Sequence, residues 1–335
     1  MIKEEMLKAL RESGDFVSGQ ELCERFGVSR TAVWKAAARL KEEGYEIESV
    51  SNRGYRLKAL PDVVTEAEIG SRLKTRVMGR NCVCFDSADS TNVQAKRLAE
   101  EGAPHGTLVC AETQTAGRGR RGRAWSSPPG AAVYMSLLLR PKVRPEHASM
   151  LTLVMGLAAA EACNELLSRA AAGKPSVPQT GLKWPNDLVL DGKKTAGILT
   201  EMSTQVDYIN HVTVGVGINV NVQNFPEEIQ TATSLLSETG TQTKRAPVIA
   251  AVMKHFEENY KIFMQTEDMS GLMEKYSSLL VNHGREVLIL EKDAEYKAYA
   301  EGINQKGELV VRREDGTVEN ICAGEVSVRG VYGYV

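Results

Sequence analysis

Apolar positions at the start of the chain follow a helical period and then switch to alternation. Ile2, Met6, Leu7 and Leu10 share one helical face. Ser18-Gly19-Gln20-Glu21 is a capping box and predicts a second helix. Phe26-Gly27-Val28 stops it, with Gly27 at the left-handed position. Ser29 caps a third helix running from 30 to about 43, closed by Gly44. On that helix Val33, Ala36, Ala37 and Leu40 face inward, while Arg30, Thr31, Trp34, Lys35 and Ala38 face outward. Two helices joined by so short a Gly-containing turn predict a helix-turn-helix. Strands over 45–49 and 54–57, joined by Ser51-Asn52-Arg53, add a wing.

Leu60-Pro61-Asp62 reads as a linker, and Thr65-Glu66-Ala67-Glu68 is a second capping box. Beyond it the periods mix. Strands are predicted over 82–85, 107–112, 182–184, 188–190, 197–202 and 211–216. The apolar run 131–139 reads as a buried strand, and helices are predicted over 92–101, 150–168, 253–263 and 271–280. Asp191-Gly192 is a two-residue hairpin signal. Strands arriving in hairpins, not in strict alternation with helices, indicate a mixed sheet and an α+β fold. The last fifty-odd residues hold short strands over 286–290, 295–300, 308–312, 317–321 and 325–328. They are separated by Asn304-Gln305-Lys306-Gly307 and Asp315-Gly316, the spacing of a small β-barrel. The expected division is a winged helix-turn-helix over 1–60, a central domain over 65–280 and a C-terminal domain over 284–335.

Composition narrows the partners. The formal net charge is −2 over 335 residues, so the whole chain is no basic nucleic-acid coat. Without a run of about 18 apolar residues no membrane span is expected. The acidic, amphipathic N-terminus is unlike a signal peptide, so a cytoplasmic protein is expected. The six cysteines include no CxxC, and all are read as reduced and mostly buried. Cys82 and Cys84 share one face of a strand, but two ligands do not make a zinc site. The five histidines show no ligand spacing, and no protein-held metal is expected. Residues 1–60 carry 11 basic and 10 acidic side chains, a net of +1. DNA binding therefore rests on local cations: Arg30, Lys35 and Arg39 on the third helix, beside Ser29, Thr31 and Trp34, with Arg53 and Arg56 on the wing. A protein-docking winged helix is the alternative.

The densest chemistry lies in the middle of the chain. Gly117-Arg118-Gly119-Arg120-Arg121-Gly122-Arg123 puts four guanidinium groups among three glycines, between two apolar runs. Arg forks match carboxylate and phosphate oxygens, and glycine lets backbone N–H groups close on an anion. Self-repulsion predicts a loop that stays mobile until an anion orders it. Asp89-Ser90-Thr91-Asn92, between a strand and a helix, offers donors and acceptors for a neutral polar head, with Gln114 able to join it. Lys183-Trp184-Pro185-Asn186-Asp187 carries a strand lysine suited to hold two anions together. Gly215-Val216-Gly217-Ile218-Asn219 marks close approach of a ligand or another backbone at a strand end. There is no GxGxxG opening a helix, no Walker loop and no G-x-S-x-G nucleophile motif.

Together these motifs, with Glu112, Ala116 and Trp125 around the basic loop, resemble the biotin protein ligase family. With the N-terminal winged helix the chain resembles its bifunctional class, which also represses the biotin operon. Gly324-Glu325-Val326-Ser327-Val328-Arg329 fits the family's SH3-like C-terminal barrel. The resemblance implies a catalytic domain akin to class II synthetases. It implies attack of the biotin carboxylate on the α-phosphate of ATP, with Mg2+ carried by the nucleotide, giving biotinyl-5′-AMP. Biotin then passes to a lysine of a biotin carboxyl carrier protein. By the same resemblance, Ser90, Thr91, Asn92 and Gln114 hold the biotin head. Arg118, Gly119 and Arg120 close over the carboxylate and adenylate, and Lys183 bridges the two anions, so Lys183, Arg118 and Arg120 are the catalytic set. Arg121, Arg123, Trp125, Gly215, Gly217, Asn219 and Phe225 enclose the nucleotide. The adenylate is implied to act as corepressor and to favour a homodimer on operator DNA. The alternatives are an adenylate-sensing regulator without turnover and a lipoate–protein ligase.

Overall fold

The computed structural model describes residues 2–170, 177–205, 208–226, 231–290, 295–322, 327–330 and 334–335. Glu325, Val326 and the start of the last predicted strand lie outside them.

The first module forms as its caps dictate. Helices α1 (Ile2–Ser13), α2 (Gly19–Phe26) and α3 (Arg30–Glu42) precede an antiparallel pair, β1 (Glu46–Val50) and β2 (Gly54–Ala59). Ser18 accepts from the Glu21 N–H, Ser29 accepts from the Ala32 N–H, and Gly27 sits at φ +65°. Each satisfies backbone groups that a helix end leaves orphaned. Met6, Leu7, Leu10, Leu22, Val33 and Leu40 make a separate small core.

The residues read as a linker are clamped. Asp62 takes the Arg245 N–H at 2.8 Å and its Nε at 3.1 Å, and Arg245 also reaches Glu112 at 2.7 Å. Helix α4 (Glu66–Gly70) then brings Glu68 inward, where it accepts from Arg11, Arg72 and Tyr45. Burying one carboxylate is tolerable because three donors face it.

A seven-stranded sheet follows. Its strands are β3 (Cys82–Ala88), β4 (Thr107–Gln114), β5 (Ala132–Leu139), β6 (Thr180–Lys183), β7 (Asp187–Leu190), β8 (Lys193–Thr204) and β9 (Ile209–Asn219). The order is β3-β4-β5-β9-β8-β7-β6, with β3–β4 parallel and the other pairs antiparallel, so the sheet is mixed. Helix α5 (Thr91–Glu100) joins β3 to β4, and α7 (Leu235–Thr239) follows β9. Helices α6 (Leu151–Ala170) and α8 (Arg245–Thr266) pack together, and the Val212, Val214, Val216 and Ile218 side chains of β9 share their core. By strand alternation Gly215 and Gly217 present bare backbone to the opposite face.

Three expectations change. The stretch Pro145–Arg169 is apolar enough, by length and composition, to pass as a span, and the fold uses it as a mostly buried core helix. Helix α8 starts at Arg245, well before 253. Its early proline lies in the first turn, where a missing N–H costs nothing, and its buried arginine is paired. The last predicted helix divides into a 3₁₀ turn, Ser270–Leu272, and α9 (Met273–Leu279).

The chain closes with β10 (Arg285–Leu290), β11 (Glu295–Ile303), β12 (Leu309–Arg312), β13 (Val318–Ile321) and β14 (Ser327–Gly330). They form an antiparallel sheet in the order β13-β12-β11-β10-β14. It is docked on the central domain, where Trp184 Nε1 donates to the Gly307 carbonyl at 3.0 Å.

Candidate active site

Strand ends, the basic loop and the C-terminus enclose a cavity of about 700 Å³. Ser90, Thr91, Asn92, Gln114, Arg118, Gly119, Arg120, Arg121, Arg123, Trp125, Lys183, Gly215 and Gly217 all line it.

One end is polar and neutral. Ser90 begins α5 without a side-chain cap bond, so its hydroxyl is not consumed by the helix. Gln114 Oε1 accepts from the Thr91 N–H at 2.9 Å and Thr91 Oγ1 at 3.2 Å, while its Nε2 donates to Ser127 at 2.9 Å. Asn92 Nδ2 donates to Glu201 at 2.7 Å, and Ser136 Oγ donates to Asn92 Oδ1 at 2.6 Å. Such a network fixes its members' rotamers before any ligand arrives.

The glycine run explains itself by packing. A Cβ on Gly215 would lie 2.2 Å from Asn92 Oδ1, and one on Gly217 would lie 2.6 Å from the Trp125 ring. The close approach is made by two side chains, not by another backbone. Among the described residues the buried Trp125 indole N–H has no acceptor.

The other end is cationic. The basic loop is tied back on itself: Gly119 N–H donates to the Arg123 carbonyl at 2.7 Å, and Trp125 N–H donates to Gly117 at 2.9 Å. Gly122, at φ +71°, makes the reversal possible. Arg120 reaches inward to Asn186 Oδ1 at 2.9 Å. Burial lowers its guanidinium below the ordinary value; Asp187 opposes that, and Arg121 and Arg123 add to it. Arg118, Arg121 and Arg123 remain exposed.

Lys183 ends β6 and is only 5% exposed. Its Nζ stands 3.4 Å from the centroid of the Tyr334 ring. Burial pulls its pKa down to about 8; Asp187 opposes this, while Lys194 and Arg329 reinforce it. Asp187 is already claimed by Lys194 at 2.5 Å and by the Tyr334 hydroxyl at 2.5 Å. The resulting pocket has an excess of positive charge, of which Lys183 is held out of water, a state that an anionic ligand relieves.

Two assigned residues are not in the cavity wall. Asn219 spends its Nδ2 on the Thr233 carbonyl at 3.0 Å. Phe225 packs against the cluster of Ala132, Tyr134 and Val222, as Trp125 does. Conversely, Lys194, Arg329 and Tyr334 line the cavity although none is a predicted site residue, and so does Asp187, which enters the sequence reading only as the end of the Lys183–Asp187 motif. Nothing local marks Tyr334: its importance comes from tertiary docking alone.

The N-terminal module keeps its outward set. Ser29, Arg30, Thr31, Lys35 and Arg39 are exposed, and Trp34 is 62% exposed. On the wing, Arg53 lies 4.2 Å over the Phe16 ring, which orients it while leaving it exposed. Arg56 is paired with Glu48 at 2.7 Å, so it is not a spare cation.

The Biotin/lipoate A/B protein ligase family model matches residues 84–219, an HTH domain model matches 3–56, and the Biotin protein ligase C terminal domain model matches 283–329. The "Bifunctional ligase/repressor BirA" of Bacillus subtilis is 38% identical over 331 residues, covering 98% of both chains. The chain belongs to the biotin protein ligase family. The Escherichia coli "Bifunctional ligase/repressor BirA" is 31% identical over 96% of both chains. Among solved structures, the biotin protein ligase from Aquifex aeolicus in complex with biotin and ATP superposes with a TM-score of 0.64 at 35% identity. That match covers 75% of this ligase-family chain and 99% of the other.

Proposed function

We infer that the chain is a biotin protein ligase that activates biotin with ATP and passes it to a lysine of a carrier protein. The observation that carries this is one cavity with a fixed neutral polar end and a cationic end built round the buried Lys183. In the first step a biotin carboxylate oxygen bonds to the α-phosphorus and pyrophosphate leaves. Both reactants are anions, so their approach is opposed until cations stand between them. Lys183 does this. At about 8 its pKa keeps it mostly protonated at neutral pH, and two incoming anions reinforce that charge. Arg120 closes from the loop side, and Arg118, Gly119, Arg121 and Arg123 cover the phosphates. Ser90, Thr91, Asn92 and Gln114 hold the ureido head, and Trp125 over Gly217 gives the nucleotide a flat wall.

In the second step the neutral amine of the carrier lysine attacks the acyl carbon. The acyl–phosphate bond breaks and AMP leaves. No nucleophile on this chain is required. The Mg2+ requirement fits entry with the nucleotide: among the described lining residues Asp187 is the one carboxylate, and Lys194 and Tyr334 already hold it. In the N-terminal module, α3 fits a major groove, with Arg30, Lys35, Arg39 and Arg53 on phosphates. The proposal extends to repression by a homodimer formed on adenylate binding.

The test is transfer of labelled biotin to a carrier domain with ATP and Mg2+, run beside biotin-dependent ATP–pyrophosphate exchange. Exchange without transfer would leave an adenylate-sensing regulator. A preference for lipoic acid would indicate the other branch of the matched family.

A further inference from the structure

The parallel register of β3 and β4 sets Cys84 directly beside Cys110, while Cys82 lies two residues along on the same face of β3. Spacing on one strand gave two thiols; the neighbouring strand supplies a third. All three sulfurs lie within 4.8 Å of one another, and Cys82 Sγ and Cys84 Sγ are 3.8 Å apart. Around a thiolate-bound ion with metal–sulfur bonds of about 2.3 Å, tetrahedral or trigonal geometry separates the sulfurs by roughly 3.8–4.0 Å. The Cys82–Cys84 pair is thus already at the spacing that coordination imposes, and the Cys110 sulfur lies within 4.8 Å of both.

We propose that Cys82, Cys84 and Cys110 form a binding site for one thiophilic d¹⁰ cation, of the Zn2+ or Cu+ class. Cys110 is fully buried at the base, and Cys82 and Cys84 are half-buried on the edge strand, so an ion reaches the site from that edge. The exposed Glu66 carboxylate, 3.4 Å from the Cys84 N–H, stands at the mouth and can supply an oxygen where the ion takes a fourth ligand. Binding deprotonates the thiols and releases their protons to solvent. The site is separate from the cavity, although β3 runs on to Ser90 and β4 ends at Gln114.

The experiment uses the full chain, reduced and anaerobic, titrated with Cd2+. It follows the ultraviolet thiolate-to-cadmium band and counts the retained ion by native mass spectrometry. One Cd2+ per chain is expected, and it should displace Zn2+ bound beforehand. Cys84→Ser and Cys82→Ser, each checked for an unchanged melting profile, should weaken retention at least tenfold, and Cys322→Ser should leave it unchanged. No band, or a band of full strength in Cys84→Ser, overturns the proposal.

Discussion

Replacing Lys183 with methionine should separate stability from chemistry. The ammonium is buried, and its pKa falls from 10.5 to about 8. That gap corresponds to about 3 kcal/mol of unfavourable charge burial at neutral pH. Against it stands the contact with the Tyr334 ring, worth roughly 0.5–2 kcal/mol. Methionine keeps the length and removes the charge, so Lys183→Met should melt at the same temperature as the parent or above it. The sign with pH follows. In the parent the folded pKa lies below the unfolded one, so its penalty is fully present below about pH 8 and fades as pH rises toward 10.5. The stability difference between variant and parent should therefore shrink over that range. Chemistry moves the other way. Loss of one fixed charge at a developing anionic centre costs about 10²–10³ in rate. The assays are thermal melts from pH 7 to 10 and biotin-dependent ATP–pyrophosphate exchange at saturating substrates. Exchange within threefold of the parent would refute the role given to Lys183. A variant destabilised by several kcal/mol at pH 7 would refute the cost assigned to burying its charge.

Gly215→Ala should raise the KM for biotin at least tenfold with a smaller effect on kcat, because the new methyl displaces Asn92 from its bonds to Glu201 and Ser136; steady-state kinetics reads the split. Arg120→Ala removes the bond to Asn186 that pins the loop inward, so biotinyl-5′-AMP should accumulate in the filtrate when no carrier is present; adenylate retained as tightly as in the parent contradicts this. Lys35→Ala should weaken DNA binding evenly across sequences and lower the salt slope by about 1, measured by titration at several ionic strengths; an unchanged slope takes Lys35 off the phosphates.

How legible the chain was depended on whether a signal was local. Ser18, Ser29 and Gly27 act on backbone groups within a few residues, so their helices could be bounded from sequence. The cluster at Ser90–Asn92 stood out because a plain cap needs only one hydroxyl, and Ser90 in fact makes no cap bond. The same reasoning failed where partners are far apart along the chain. Arg245 looks like a surface residue until Asp62 and Glu112 fold onto it, which hid the first two turns of α8. Tyr334 reaches Asp187 across 147 positions, and nothing near either residue encodes that contact. Cys110 became the third member of a thiol triad only through strand register. Asn219 was placed in the cavity by motif, yet its amide is committed to Thr233.

The central claim is that Lys183 and the basic loop draw a carboxylate and a phosphate together against their repulsion. The most direct measurement is a crystal structure with biotinyl-5′-AMP bound. The account predicts the adenylate phosphate within about 2.7–3.2 Å of Lys183 Nζ, with the ureido ring against Ser90 and Gln114 and the loop folded over both. A phosphate out of reach of Lys183 and of every arginine in the loop would contradict it.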